Sequence, residues 1–149
     1  MPIYKYQRVT TAGPNGTTLY FRNAETDPKA VELAEVDDWF YVFVPDGCTL
    51  PGQRGEIGWQ AVTLTNALKE QIKTASRPCH LISDRMQQMI RGAYSLEDEQ
   101  YFARIGVGVA LGAYTFQAGE QAALLGFGQY VEDVRQWGRD RRAEIGLGS

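Results

Sequence analysis

Residues 95–117 read S-L-E-D-E-Q-Y-F-A-R-I-G-V-G-V-A-L-G-A-Y-T-F-Q, and the fold depends on what covers this stretch. It opens as a helix. Ser95 is a good N-cap, Asp98 stands three residues on, and Glu97 and Glu99 suit the positive end of the helix dipole. From Phe102 the apolar residues recur as Phe102, Ile105, Val109 and Phe116, with Gly112 in the gap, which marks one helical face. Val107, Leu111 and Tyr114 fill the opposite face. A helix apolar all round must be covered all round, by its own domain or by a partner. Gly106, Gly108 and Gly112 each cost helix stability, about 1 kcal/mol relative to alanine, so close approach of a second backbone is expected in return. That backbone belongs either to the same domain or to another subunit. Phe102, Ile105, Gly108, Val109, Gly112 and Phe116 are therefore the candidate interface residues.

Helical signals continue on both sides of this stretch. Thr65 caps a segment carrying Ala67, Leu68, Ile72 and Ala75, and Ser76-Arg77-Pro78 breaks and restarts it, with proline acceptable in a first turn. The next helix gathers Ile82, Met86, Met89 and Ile90 on one side and ends at Gly92 as a C-cap. The central helix runs to about Gln117, and Ala118-Gly119 either breaks it or marks a kink. The last helix shows Leu124, Phe127, Val131 and Val134 at alternating steps of three and four, widened by Tyr130 and Trp137. Two heptads are too few for an autonomous coiled coil, so this is an amphipathic helix packed on something else.

The N-terminal part has the other periodicity. Ile3 to Thr11 and Thr17 to Arg22 read as two strands joined through A-G-P-N-G, a hairpin. Leu19 and Phe21 share one face of the second strand. Ala30 to Val36 is a short element, strand or helix turn. Trp39 to Val44, W-F-Y-V-F-V, is dense in β-formers and apolar on both faces, so it is expected to be the covered strand. Pro45-Asp46-Gly47 ends it. Thr49 to Gly58, with three glycines and a proline, reads as an extended linker. Trp59 to Leu64 adds one more candidate strand. The expected fold class is α+β: a small antiparallel N-terminal sheet followed by about four helices. The expected division is 1–48 as the β-rich part, 49–58 as linker and 59–149 as the helical part.

The whole chain has 149 residues, enough to bury a core, and its net charge of −3 gives no electrostatic case for nucleic acid or an anionic membrane. The N-terminus lacks the apolar core of a signal peptide, and 105–116 is well short of the ~20 residues of a spanning helix. A soluble protein made in a cytoplasm is the expectation. His80 is the single histidine, beside Cys79, and no C-x-x-C, H-E-x-x-H or carboxylate cluster suggests a metal. Arg135, Arg139 and Arg142 form a stripe interleaved with Glu132, Asp133, Asp140 and Glu144, either a solvated face or a patch for an anionic partner. No catalytic residue, metal site or cofactor is nominated. Cys48 and Cys79 are either reduced thiols or a disulfide, within the chain or to a partner.

Three segments taken in order carry a resemblance. They are V-T-L-T-N-A-L-K-E-Q-I-K-T-A-S from Val62, I-R-G-A-Y-S-L-E-D-E from Ile90 with Arg104 following, and Y-V-E-D-V-R-Q-W-G-R-D-R-R-A-E-I-G-L from Tyr130. Together they resemble the C-terminal helical region of small tail proteins of tailed bacteriophages, the tail-fibre-associated or tail-assembly proteins. The likeness covers residues 62–147, about half the chain. It implies a non-catalytic tail protein that joins fibre to tail or baseplate, in the virion tail or in the host cytoplasm during assembly. Its partners would be fibre or baseplate proteins, in homo-oligomeric or repeated copies, with no nucleic acid and no membrane span. The apolar, glycine-rich 105–116 departs from the more polar segment usual there and suits a protein built permanently into a particle. The alternative is a small α+β ligand-binding or enzymatic domain with its site between sheet and helices.

Overall fold

A computed structural model describes residues 3–7, 30–48 and 58–148. The expected 3–22 hairpin beyond Gln7, its polar loop and the 49–58 linker up to residue 57 lie outside the described residues. What is described is α+β, a four-stranded antiparallel sheet followed by four helices. The strands are β1 (Ile3–Gln7), β2 (Val31–Val36), β3 (Trp39–Phe43) and β4 (Gln60–Val62), in the order β2-β3-β1-β4. The helices are α1 (Asn66–Ala75), α2 (Arg77–Ala93), α3 (Leu96–Ala110) and α4 (Glu120–Glu144).

The period of two in W-F-Y-V-F-V places β3 inside the sheet. Tyr41 and Phe43 enter one buried cluster, with Trp39 packed against it; Val42 and Val44 enter another, with Phe40 beside them. These are opposite faces of one strand, both apolar, as expected. The ambiguous element after residue 30 is a strand, tied to β3 by the two-residue turn Asp37-Asp38, with φ of 50° and 66°. Positive φ at both central positions is the primed-turn geometry that matches strand twist. A bulge between Glu32 and Ala34 lets Leu33 and Ala34, adjacent in sequence, join the same cluster. The edges are guarded: β2 exposes Glu32 and Glu35, and β4 is three residues long.

The described chain forms two compact units, one reaching Leu81 and resuming at Arg141, the other spanning Ile82–Asp140. This differs from the expected division at 49–58. The reason lies in the first core, where Ile72 of α1, Cys79 of α2 and Leu147 near the chain end are buried with Ile3, Leu33, Tyr41 and Phe43. A sheet this small needs cover, and α1 with the C-terminal residues supplies it. Thr65 caps α1 as expected, its hydroxyl accepting from the Leu68 amide at 3.2 Å. Ser76, fully buried, serves both helices that meet there. It ends α1, and its carbonyl and hydroxyl accept from His80 and Cys79 of α2 at 3.0 and 3.4 Å.

The second unit is built on the expected helix faces. Ile82, Met86, Met89 and Ile90 of α2 turn inward, as do Leu124, Phe127, Val131 and Val134 of α4. Its aromatic centre joins Tyr94, Phe102, Phe127 and Tyr130, with Phe102 stacked on Phe127 at 5.1 Å and Tyr94 edge-on to both. The Tyr130 hydroxyl donates to the Met89 carbonyl at 2.8 Å. Gly92 is not the expected C-cap. It lies inside the last turn of α2, which runs on to Ala93.

Candidate functional site

The 111–119 connection sets the geometry of the second unit. The helix before it, α3, starts with the capping box anticipated at Ser95: the Ser95 hydroxyl accepts from the Asp98 amide at 3.0 Å, and the Asp98 carboxylate accepts from the Ser95 amide at 2.9 Å. The far end of α3 departs from expectation, because the helix stops at Ala110 rather than near Gln117. Gly112 adopts φ +72°, its amide donates to the Val109 carbonyl at 3.0 Å, and the Ala113 amide donates to the Gly108 carbonyl at 2.8 Å. That pair of bonds is a Schellman motif with glycine at its left-handed position.

The two candidate packing glycines therefore do different things. A Cβ on Gly112 would meet nothing within 4 Å, so its role is conformational. A Cβ on Gly108 would lie 2.9 Å from the Cβ of Tyr114, so Gly108 is the point of close approach. The element that approaches is the returning chain after the motif, not a second helix.

Tyr114 is thereby aimed at Glu120, the first residue of α4. The Glu120 carboxylate accepts from the Tyr114 hydroxyl at 2.7 Å, from the Gln117 amide at 2.6 Å, and from the Tyr101 hydroxyl. The expected break at Ala118-Gly119 is a tight turn, with Gly119 at φ +83° and the Glu120 amide donating to the Gln117 carbonyl. Tyr101, then Gln117 and Tyr114, hold the Glu120 carboxyl below its ordinary range against the opposing effect of burial. Tyr114 is pushed up to about 12, first by its hydrogen bond to Glu120, then by burial and the carboxylate charge. A base this weak and an acid this reluctant are poorly matched to proton transfer near neutral pH. The trio is a lock on the helix–helix connection.

The lock makes a prediction with a defined sign. A carboxyl whose folded-state pKa is depressed contributes stability in full above its unfolded value, about 4.5, and loses it as the pH falls through the folded value. The stability difference between the natural protein and Glu120→Gln should be level from about pH 5 to 9 and shrink below about pH 4.5. Denaturant unfolding across this range checks it. Equal acid slopes for the two proteins would contradict the lock.

The candidate interface face is turned inward. Phe102 and Ile105 are buried in the second unit, Gly108, Val109 and Phe116 are half-buried, and only Gly112 is exposed. The correction has a simple cause. Phe102 meets Tyr94 and Phe127, so the unit's own aromatics cover that face. The opposite face is the one left in solvent, with Leu96 55%, Val107 58% and Leu111 77% exposed, and Leu125 of α4 66% exposed.

Cys48 and Cys79 are free thiols. Cys79 is buried in the cluster on one face of the sheet, and Cys48 packs beside the cluster on the other. Of the two disulfide alternatives, the internal bridge is blocked by the sheet itself, and burial withholds Cys79 from any neighbour. His80 is exposed, and its Nε2 bonds the Thr74 carbonyl at 2.6 Å, a structural role at the end of α1. Of the arginine stripe, Arg139 pairs within its own helix, with Glu132 at 2.5 Å and with Gln136.

Two further features escaped the sequence reading. Lys69 of α1 donates to the Gly148 carbonyl at 2.7 Å, fastening the chain end to the first unit. A groove of about 410 Å³ lies beside β2, where Glu32, Glu35 and Arg77 stand near the apolar Phe40, Pro78 and Leu81. Among the described residues no group of three His, Cys, Asp or Glu could hold a metal. Among them too, no helix is long and apolar enough to cross a membrane. No family model, curated protein or solved structure matches this chain.

Proposed function

We propose that this chain is a non-catalytic bacteriophage tail protein, a structural component or assembly factor that joins fibre to tail or baseplate through protein–protein contacts. The resembling segments form α1, the last turn of α2, the first turn of α3 and α4 from Tyr130 onward. The observation that carries the reading is the exposure of Leu111 and Leu125, 77% and 66%, in a unit with its own aromatic centre. Large apolar side chains left in water suit contact with another protein. Such a protein acts in the virion tail or, as an assembly factor, in the host cytoplasm.

Protein composition of purified tailed particles and of their tail intermediates tests this. The chain should be present in at least one of them in a fixed ratio to fibre or baseplate protein. Its absence from both overturns the reading. The groove beside β2 favours the alternative, a ligand-binding domain, because it is concave, largely apolar and rimmed by Arg77 and two glutamates.

A further inference from the structure

We propose that a second copy of this chain covers the outer face of α3, with the two helices antiparallel about a two-fold axis. Leu96, Gln100, Ala103, Val107 and Ala110 follow one another at steps of four and three, and all five are exposed. That spacing is the a/d seam of a helix pair, running down the side of α3 opposite Phe102 and Ile105. The small Ala103 and Ala110 let a second helix come close.

Charge selects the occupant and its direction. Glu97 and Arg104 are exposed, seven residues apart, on the same flank of the seam. Among the described residues neither has an ion-pair partner. In an antiparallel pair, Leu96 faces Val107 of the second copy and Gln100 faces its Ala103. The same register sets Glu97 against Arg104 of the second copy, and symmetry repeats every contact. A parallel pair would instead call on Glu99, which Arg91 already holds at 2.6 Å. It would also set the acidic turns Glu97-Asp98-Glu99 of both copies side by side, whereas antiparallel helices oppose their dipoles. The surface is thus complementary to itself in one direction only. Two helices of 15 residues bury less than the ~1,200–2,000 Å² of a stable complex, so the dimer is reversible and of micromolar or weaker affinity.

This inference stands apart from the tail reading, since it is measured on the isolated protein. Sedimentation equilibrium of the full chain from about 1 μM to 1 mM should show a monomer–dimer equilibrium. Arg104→Glu and Glu97→Arg should each weaken it roughly tenfold, and the two together should restore it to within about threefold. Ala103→Arg, at an exposed helical position, should abolish it. Circular dichroism of each variant should match the natural protein, because every altered side chain lies in solvent in the monomer. A protein monomeric throughout the range overturns the proposal. So does a dimer indifferent to Ala103→Arg, or a combined charge exchange weaker than either single one.

Discussion

Gly146→Ala is expected to remove about 2–5 kcal/mol from the first unit, a large share of the ~5–15 kcal/mol of a typical domain. Two causes act together. Gly146 sits at φ +80° just beyond α4, where its amide donates to the Ala143 carbonyl at 3.0 Å and the Leu147 amide donates to Arg142 at 2.9 Å. This is a second Schellman motif, and an L-residue in its left-handed position costs about 1–2 kcal/mol. The new Cβ would also lie 2.7 Å from Cδ2 of Phe43 and 3.4 Å from Cδ1 of Ile3, both in the buried sheet core. Something must move, and a filled core yields only at a cost of about 1–3 kcal/mol. Urea unfolding measures the sum. A loss below about 0.5 kcal/mol would show that the chain end does not pack on β3 as described. Repeating the substitution in a Phe43→Leu background separates the two causes, since only the clash depends on the ring.

Leu147→Ala should be nearly as damaging, at about 2–5 kcal/mol. Leu147 is 0% exposed and shares its cluster with Ile3, Phe43 and Ile72. It follows Gly146 directly, so the Schellman motif is what turns this side chain into the sheet core. Removing it leaves a cavity in a small core that has little material with which to collapse. The same urea titration reads the effect, and a change smaller than about 1 kcal/mol would mean that the first unit is complete without its C-terminal residues. The prediction runs against the division of the chain at 49–58, under which 59–149 would fold without the sheet.

These two positions also show where sequence reading stops. The alternation in W-F-Y-V-F-V and the three-and-four spacing of Leu124, Phe127, Val131 and Val134 are local, and each marked its buried faces correctly. The union of α1 and the chain end with the sheet is not local. Lys69 and Gly148 are 79 residues apart, and no periodicity announces their contact. The end of α3 was hidden for a different reason. The run stays apolar to Phe116, so composition could not show that Gly112 alone takes positive φ while Gly108 receives Tyr114.

The turn at Asp37-Asp38 left a faint signal, two acidic residues between two apolar runs. The Glu120 lock left less. Tyr101, Tyr114 and Glu120 are separated by 13 and 6 residues, and only the loop that the Schellman motif creates brings them together. The candidate interface face is the one turned into the unit, half a turn of helix from the exposed side. Apolar residues surround α3, and the choice of outer face rested on which side the unit's own aromatics would claim.

That exposed face leads to the central proposal, a protein that works by being bound. The affinity of the purified chain for purified fibre or baseplate protein, measured by calorimetry, tests it most directly. Binding of micromolar affinity or tighter is predicted, weakened at least about tenfold by Leu111→Glu combined with Leu125→Glu, which alter two of the most exposed apolar side chains of the second unit. No binding to either protein at about 100 μM, or binding that the double variant retains in full, would contradict it.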